Sequence, residues 1–372
     1  MIMRVPFVDL KSQYRSIKKE IDHAIQQVIE DTAFVRGKYV KEFEEEYASK
    51  YGVRHCIGVG NGTDAIYIAL KMMGVDKGDE VITAANTWIS TSETISQTGA
   101  KPVFVDIDPK YYTLNVDELR SKITSATKVI IPVHFYGQAA DMESIMQIAR
   151  ENDIEVLEDC AQAHFSEDQG NRVGLIGRAA TFSFYPSKNL GAYGDAGCII
   201  TNDDELAKRI RMFANHGSLN KHEHVMEGIN SRLDGLQAAI LKVKLGYLDN
   251  WIEKRIQNAQ YYDDLLGEIE QIVIPKVRPN TKHTYHVYVV RCQGNERDDL
   301  MKFLKNKGIE TSIHYPAALP GLKAYEYLNL NLEEFRVALD FQSKILSLPM
   351  YPELSEEMIE YVCDSIHQFY HN

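Results

Sequence analysis

TFSFYPSKNLGAYGDAGCIIT, Thr181–Thr201, reads as one strand ending at Ser183 or Phe184, a turn at Tyr185 and Pro186, a glycine-rich segment carrying Lys188, and a second strand. Working outward toward the amino terminus, similar short runs recur at residues 55–60, 80–84, 102–106, 128–135 and 154–159, giving about seven strands in the first two thirds of the chain. Several are apolar without alternation, as strands covered on both faces are. Helical patterns at Thr63–Met73, Met142–Glu151 and Asp204–Ala214 lie between them. This rhythm predicts α/β architecture, a mostly parallel sheet flanked by crossover helices. From about Trp251 the texture changes to an amphipathic stretch reaching Glu270, an alternating strand HTYHVYVV at 283–290, a helix near 296–307, a strand IETSIHY and two more helices. The expectation is a large domain of residues 1–250 and a smaller α+β domain of 251–372. The first 35 residues, with a helix near 17–30, are not placed by pattern.

The 372 residues carry 53 Asp plus Glu against 41 Lys plus Arg, a formal charge of −12. An acidic surplus repels phosphate backbones, so a general nucleic-acid binder or anionic-membrane binder is not expected. No apolar stretch approaches the roughly 20 residues of a membrane span, and MIMRVPFVDLKSQYRS has no signal-peptide pattern. A cytoplasmic protein is the expectation. Cys56, Cys160, Cys198, Cys292 and Cys363 are an odd number without a CxxC pair, which suits a reducing compartment and argues against a zinc ribbon or a disulfide framework.

Three segments could carry chemistry. In GVGNGTDAIYIAL, Gly58–Leu70, glycines follow a strand and open a helix whose free N–H groups can hold a phosphate. Thr63 stands where a dinucleotide fingerprint needs its third glycine, so a phosphate monoester held at Gly62 and Thr63 fits better; a plain turn with a helix cap is the alternative. VLEDCAQAH brings Glu158 and Asp159 to a strand's carboxyl end, where open α/β sheets keep their sites. Cys160 and His164 have metal-ligand spacing, but no third ligand accompanies them, and no metal is expected. Lys188, on a constrained loop beside the same edge, is placed to be desolvated and nucleophilic; taken alone it reads first as a surface lysine, and only the other two segments reverse that balance.

The ordered set NGTDAI, NTWIST, EDCAQAHF, FSFYPSKNLGAYGDAG, NHG and GINSRLDGLQAAIL resembles the fold type I pyridoxal-phosphate (PLP) enzymes, specifically the sugar aminotransferases of the DegT/DnrJ/EryC1/StrS family. The resemblance runs from VPFVDL at residue 5 to LPMYPELSEEMIEYV near 360. It implies Lys188 as the Schiff-base lysine and proton shuttle, and Asp159 as partner of the pyridinium nitrogen. It further implies Gln162 on the phenolic oxygen, Trp88 stacked on the ring, and Gly62, Thr63 and Ser183 on the phosphate. Asn230 would reach that phosphate from the other subunit of a homodimer with shared sites. Substrate contacts fall to Tyr185, Arg232, His314, Tyr315 and Arg36. The charged segment with Arg211, Lys221, His222, His224 and Arg232 is the expected nucleotide-diphosphate contact.

The reaction implied is transamination of a nucleotide-linked keto sugar, with glutamate as donor and pyridoxamine phosphate as the intermediate cofactor form. Asn189–Gly197, NLGAYGDAG, resembles the loop of members acting at C3, whereas 4-keto enzymes read more like TTGEGG. The acceptor implied is a dTDP-linked 3-keto-6-deoxyhexose, with the bulk of Tyr193 as one route by which the loop selects the carbon. A 4-keto substrate is the alternative. A sugar dehydratase would carry histidine at position 188, an NAD-type oxidoreductase lacks its fingerprint, and a non-catalytic regulator would not need Lys188, Asp159 and Gln162 together.

Overall fold

The computed structural model describes residues 3–220 and 222–371. Helices α1 (Leu10–Ser16), α2 (Lys18–Glu30) and α3 (Lys38–Tyr51) precede β1 (His55–Val59), which leads into α4 (Gly62–Met72). Then follow β2 (Glu80–Ala84), α5 (Ser90–Thr98), β3 (Lys101–Val105), α6 (Val116–Leu119), β4 (Thr127–Ile131), α7 (Met142–Glu151) and β5 (Glu155–Asp159). A two-residue hairpin, β6 (Glu167–Asp168) and β7 (Asn171–Arg172), separates these from β8 (Ala179–Ser183), β9 (Gly197–Thr201) and α8 (Asp204–Phe213).

All seven apolar runs enter one sheet of order β1-β9-β8-β5-β4-β2-β3. β9 alone runs opposite to the other six strands. The missing alternation has a direct cause. Ala180 and Phe182 face one core, Ala179 the other; Cys198 and Ile200 join the first, Ile199 the second. Helix starts follow local chemistry: Asn61, Asp141 and Asp203 each accept a backbone N–H of the first turn. Their crossovers leave the carboxyl ends of β1, β2, β4, β5 and β8 along one edge, with β5 at the centre.

Beyond α9 (Gly235–Leu245) and α10 (Leu248–Leu266), β10 (Ile272–Val273), β12 (Tyr288–Cys292) and β13 (Ile345–Leu348) make a second, antiparallel sheet, while β11 (Thr281–Lys282) pairs with β6 and the short α12 (Arg336–Phe341) precedes β13. The second sheet packs under α10, α11 (Arg297–Asn306) and α13 (Glu356–His371). Helix α10 serves two cores: Leu248 and Ile252 lie with the large sheet's residues, Ala259, Tyr262 and Leu266 with the small sheet's. The N-terminal segment likewise joins both. Val5 pairs with Ile309, while Ile17 and Ile21 pack on Ile240 and Trp251.

Three strands differ from expectation. In HTYHVYVV only Tyr288 onward joins a sheet, because residues 283–286 bond elsewhere. Thr284 N–H donates to Gly137 O, and its carbonyl accepts from Asn189 Nδ2. IETSIHY makes no strand, only bridges from Ile309 to Val5 and from Ser312 to Ser347. The expected strand through 135 ends at Ile131, and Tyr136 turns the chain with φ 61°.

Candidate active site

Lys188 lies on the tight connection between β8 and β9. Its N–H donates to Tyr185 O at 2.8 Å, and Ala192 N–H returns to Phe184 O at 2.7 Å. Gly191 permits this fold-back, since a Cβ there would stand 2.2 Å from Pro186 O. The side chain is half-buried. Burial pulls its pKa from 10.5 to about 8, against the opposing pull of the Asp159 carboxylate.

Asp159 ends β5 and is buried. Burial raises its pKa, while the Ala161 N–H at 3.1 Å and the Thr91 hydroxyl at 2.8 Å favour the carboxylate. Glu158, its neighbour, points away from this group and serves the fold. It accepts N–H bonds from Gly174, Ile176 and Gly177 and one from His134 Nε2, whose Nδ1 accepts from Ala140. His134, Glu158 and Cys160 lie within 4.8 Å of one another, but both nitrogens of His134 are already committed. The same holds for His164: Nε2 donates to Ser183 O at 3.1 Å, which leaves Nδ1 to accept from Tyr47. Burial lowers the His164 pKa to about 4, with Lys188 adding to the effect. A neutral Nε2–H tautomer results, and neither Cys160–His164 nor the triad offers an open metal position.

Gly62 opens α4 against Ser183 at the end of β8. A Cβ at 62 would come 2.7 Å from Ser183 Cβ, so glycine alone allows the approach. Thr63 Oγ1 and Ser90 Oγ lie 2.7 Å apart. These hydroxyls and the free amides of the first turn form a small cradle of donors. Gln162 is fixed at both ends of its amide: Oε1 accepts from Tyr136 N–H at 2.8 Å, and one Nε2 proton goes to Tyr315 OH at 3.0 Å. Trp88, 56% exposed, packs against Tyr315 with centroids 5.2 Å apart. His314 accepts at its carbonyl from Tyr136 OH and pairs through Nδ1 with Ser347 Oγ. Burial, then the Lys188 charge, lower its pKa to about 4.

The remaining residues are not gathered here. Tyr185 is exposed, and so is Asn230, which bridges to Asn215 beside Ser231, whose hydroxyl holds Gly60 N–H. Arg232 contacts Asn215 Oδ1 at 3.4 Å. Arg36 and Arg211 instead line a separate cavity of about 350 Å³ with Lys41, Glu44 and Arg54, where Arg211 is tied to Glu44 at 2.7 Å and to Cys56 O. Among the described residues, the expected diphosphate contact is therefore not assembled within one chain. Arg211 is committed to holding α3 on β1, His222 and His224 are exposed, and Lys221 lies outside the described residues. Tyr193 turns its ring toward Lys244 and Tyr14, on the α9 side of the loop. Sequence reasoning did not single out Thr91 or Tyr136. Thr91 stood inside the NTWIST motif, but only the fold reveals where its hydroxyl points.

The donor cradle at Gly62, Thr63 and Ser183, the buried Asp159 carboxylate and the depressed Lys188 amine are groups of the kind that would hold the phosphate, ring nitrogen and aldehyde of PLP. Comparison with known proteins agrees. The DegT/DnrJ/EryC1/StrS aminotransferase family model matches residues 15–367. The chain is 46% identical to the "Pleiotropic regulatory protein" of Geobacillus stearothermophilus, over 99% of both chains. It is 42% identical to the dTDP-3-amino-3,6-dideoxy-alpha-D-galactopyranose transaminase of Aneurinibacillus thermoaerophilus, over 98% of this chain and 99% of that one. The structure of S. venezuelae DesV in complex with a ketimine intermediate superposes with a TM-score of 0.96 at 37% identity, over 99% of both chains. On the fold, the site and a match that spans the whole chain, this protein belongs to the DegT/DnrJ/EryC1/StrS aminotransferase family.

Proposed function

We propose that this enzyme transfers an amino group from glutamate to a nucleotide-linked keto sugar, a dTDP-3-keto-6-deoxyhexose, giving 2-oxoglutarate and the 3-amino sugar nucleotide. The observation that carries the reading is Lys188, depressed to about 8 beside the buried Asp159 carboxylate. A lysine near that value is unprotonated in about one molecule in ten at pH 7, some hundreds of times the fraction expected at 10.5, and so is available as a nucleophile and proton carrier. When bound, PLP supplies an electron sink for negative charge at the donor's Cα. Asp159 holds a proton at the ring nitrogen, with Thr91 and Ala161 keeping it a carboxylate. Lys188 Nζ would take the proton from the donor's Cα and return it to C4′ of the cofactor, on the far side of the shared nitrogen.

Gly62, Thr63 and Ser183 bind the phosphate, and Trp88 covers the ring. Gln162 donates its second Nε2 proton to the phenolic oxygen. Asn230, exposed on its own chain, completes the phosphate shell of a partner copy, so the working unit is a homodimer; Arg232, Tyr185 and Arg36 are assigned to substrate on the same basis. His314 and Tyr315 bring a small unit of residues 251–372 to a site otherwise built by residues 1–250. No described helix is long and apolar enough to cross a membrane, and a cytoplasmic location is part of the proposal.

The choice of C3 is supported by the NLGAYGDAG loop and by the 3-amino product named for the 42% identical relative. Product NMR tests it. Incubation with PLP, glutamate and 3-keto or 4-keto 6-deoxy sugar nucleotides should place nitrogen on C3. Nitrogen on C4, without turnover of the 3-keto isomer, would overturn the assignment.

A further inference from the structure

Lys244, on α9, has 1% of its surface exposed. A buried ammonium is costly, so its few contacts carry information about why it is there. Nζ donates to Gly191 O at 2.6 Å and lies 4.6 Å from the centroid of the Tyr193 ring. Burial pulls its pKa to about 7, while the Glu353 carboxylate favours the charged form. Seven residues earlier on the same helix, Gln237 Oε1 accepts the Tyr193 N–H at 2.8 Å. Gly194 fits closely over that amide, since a Cβ there would stand 2.9 Å from Gln237 Nε2. One helix face therefore grips residues 191–194 at two points.

The gripped loop is the one that carries Lys188. Its other ties are Ala192 N–H to Phe184 O, Phe184 N–H to Ala196 O, and Asn189 Nδ2 to Thr284 O. Without Lys244, the Gly191 carbonyl would lose its side-chain donor, directly after the turn that sets Lys188. Helix α9 is itself a firm support, with Ala238, Ala239, Leu241 and Leu245 buried in the large core.

We propose that Lys244 is a positioning residue for Lys188: through the Gly191 carbonyl and the Tyr193 ring it ties the lysine loop to α9 and so fixes where the Lys188 amine stands. The inference rests on Lys188 being the lysine that joins PLP. Reaction at a held amine depends on placement to within about 1 Å, so loosening the loop should slow bond formation more than it weakens phosphate binding.

The test mixes pyridoxal phosphate with cofactor-free protein and follows the growth of the visible absorption band by stopped flow. Lys244→Met, which keeps the length and loses the donor, should slow that growth by about ten- to a hundredfold and lower kcat alongside, with the KM for keto sugar changed less than about twofold. Band growth at the wild-type rate overturns the proposal, even if the thermal midpoint falls, because lost stability alone would mark a purely structural lysine. Should Lys244→Met fail to fold, Gln237→Leu removes the second grip without touching a buried charge. It should give the same slowing, and a wild-type rate there overturns the proposal too. Lys188→Ala keeps the outcomes apart: a normal band in that variant removes the Lys188 reading itself.

Discussion

Thr91 Oγ1 donates a 2.8 Å hydrogen bond to Asp159 Oδ2, and both residues are buried. A buried carboxylate must stay ionised to hold a proton on a partner nitrogen, and this hydroxyl works against the burial that raises its pKa. Thr91→Val keeps the shape and removes the donor. The Asp159 pKa should climb, and the acid limb of the kcat/KM profile should move to higher pH by about one unit, since one hydrogen bond to a charged group is worth roughly that much. An unmoved acid limb would assign that limb to another group.

Lys188→Ala should abolish turnover and the visible band while leaving the fold intact. It should also change how stability of the cofactor-free protein depends on pH. The native lysine releases its proton near 8 and the unfolded one near 10.5, so between these values the unfolded chain binds more protons and stability rises with pH. Urea unfolding at pH 7.5, 8.5 and 9.5 should show that rise in the wild type and a smaller one in the variant. Identical slopes would contradict a desolvated lysine.

His164 supplies the opposite end of the pH scale. Its native pKa is lowered to about 4 by burial, against 6.5 unfolded. Between 6.5 and 4 the unfolded chain takes up a proton that the native state does not. Stability is thus lost as pH falls through that window, by about 1.4 kcal/mol per unit for this one group. His164→Gln retains a donor for Ser183 O and an acceptor for Tyr47. Its unfolding free energy should fall less steeply with acid than the wild type's, and equal steepness would mean His164 charges freely in the native state.

Asn230→Ala and Lys188→Ala chains should each be inactive or strongly impaired alone, and mixing them should restore activity. If the partner's Asn230 completes each phosphate shell, a mixed dimer holds one site with both lesions and one with neither. No recovery after subunit exchange, checked by native mass measurement, would place Asn230 in its own chain's site.

All seven strands of the main sheet were legible because strands buried on both faces, such as GCIIT, are written as unbroken apolar runs. Asp159 drew attention because it ends an apolar strand, whereas Lys188, five residues past the end of β8, reads alone as a surface lysine and was singled out only together with the other segments and the resemblance. What escaped depends on distant partners. HTYHVYVV alternates well enough, yet Thr284 is taken by Gly137 and Asn189, so the ladder starts only at Tyr288. Arg211 reads as a free cation in sequence, but Glu44, 167 residues away, claims it. Glu158 and Asp159 are adjacent acids with opposite employments, and only the strand's alternation, which turns one toward Gly174 and the other toward Thr91, separates them.

Helix α10 is a rod of 19 residues, about 28 Å long, whose first turns belong to one core and whose last turns belong to the other. For recombination between related genes this makes the middle of the helix a poor seam. A crossover anywhere from residue 248 to 266 joins two half-helices selected against different neighbours, and a crossover just outside it hands one core a foreign face. Chimaeras of related enzymes joined within residues 248–266 are therefore expected to lose more stability than chimaeras joined in a surface loop.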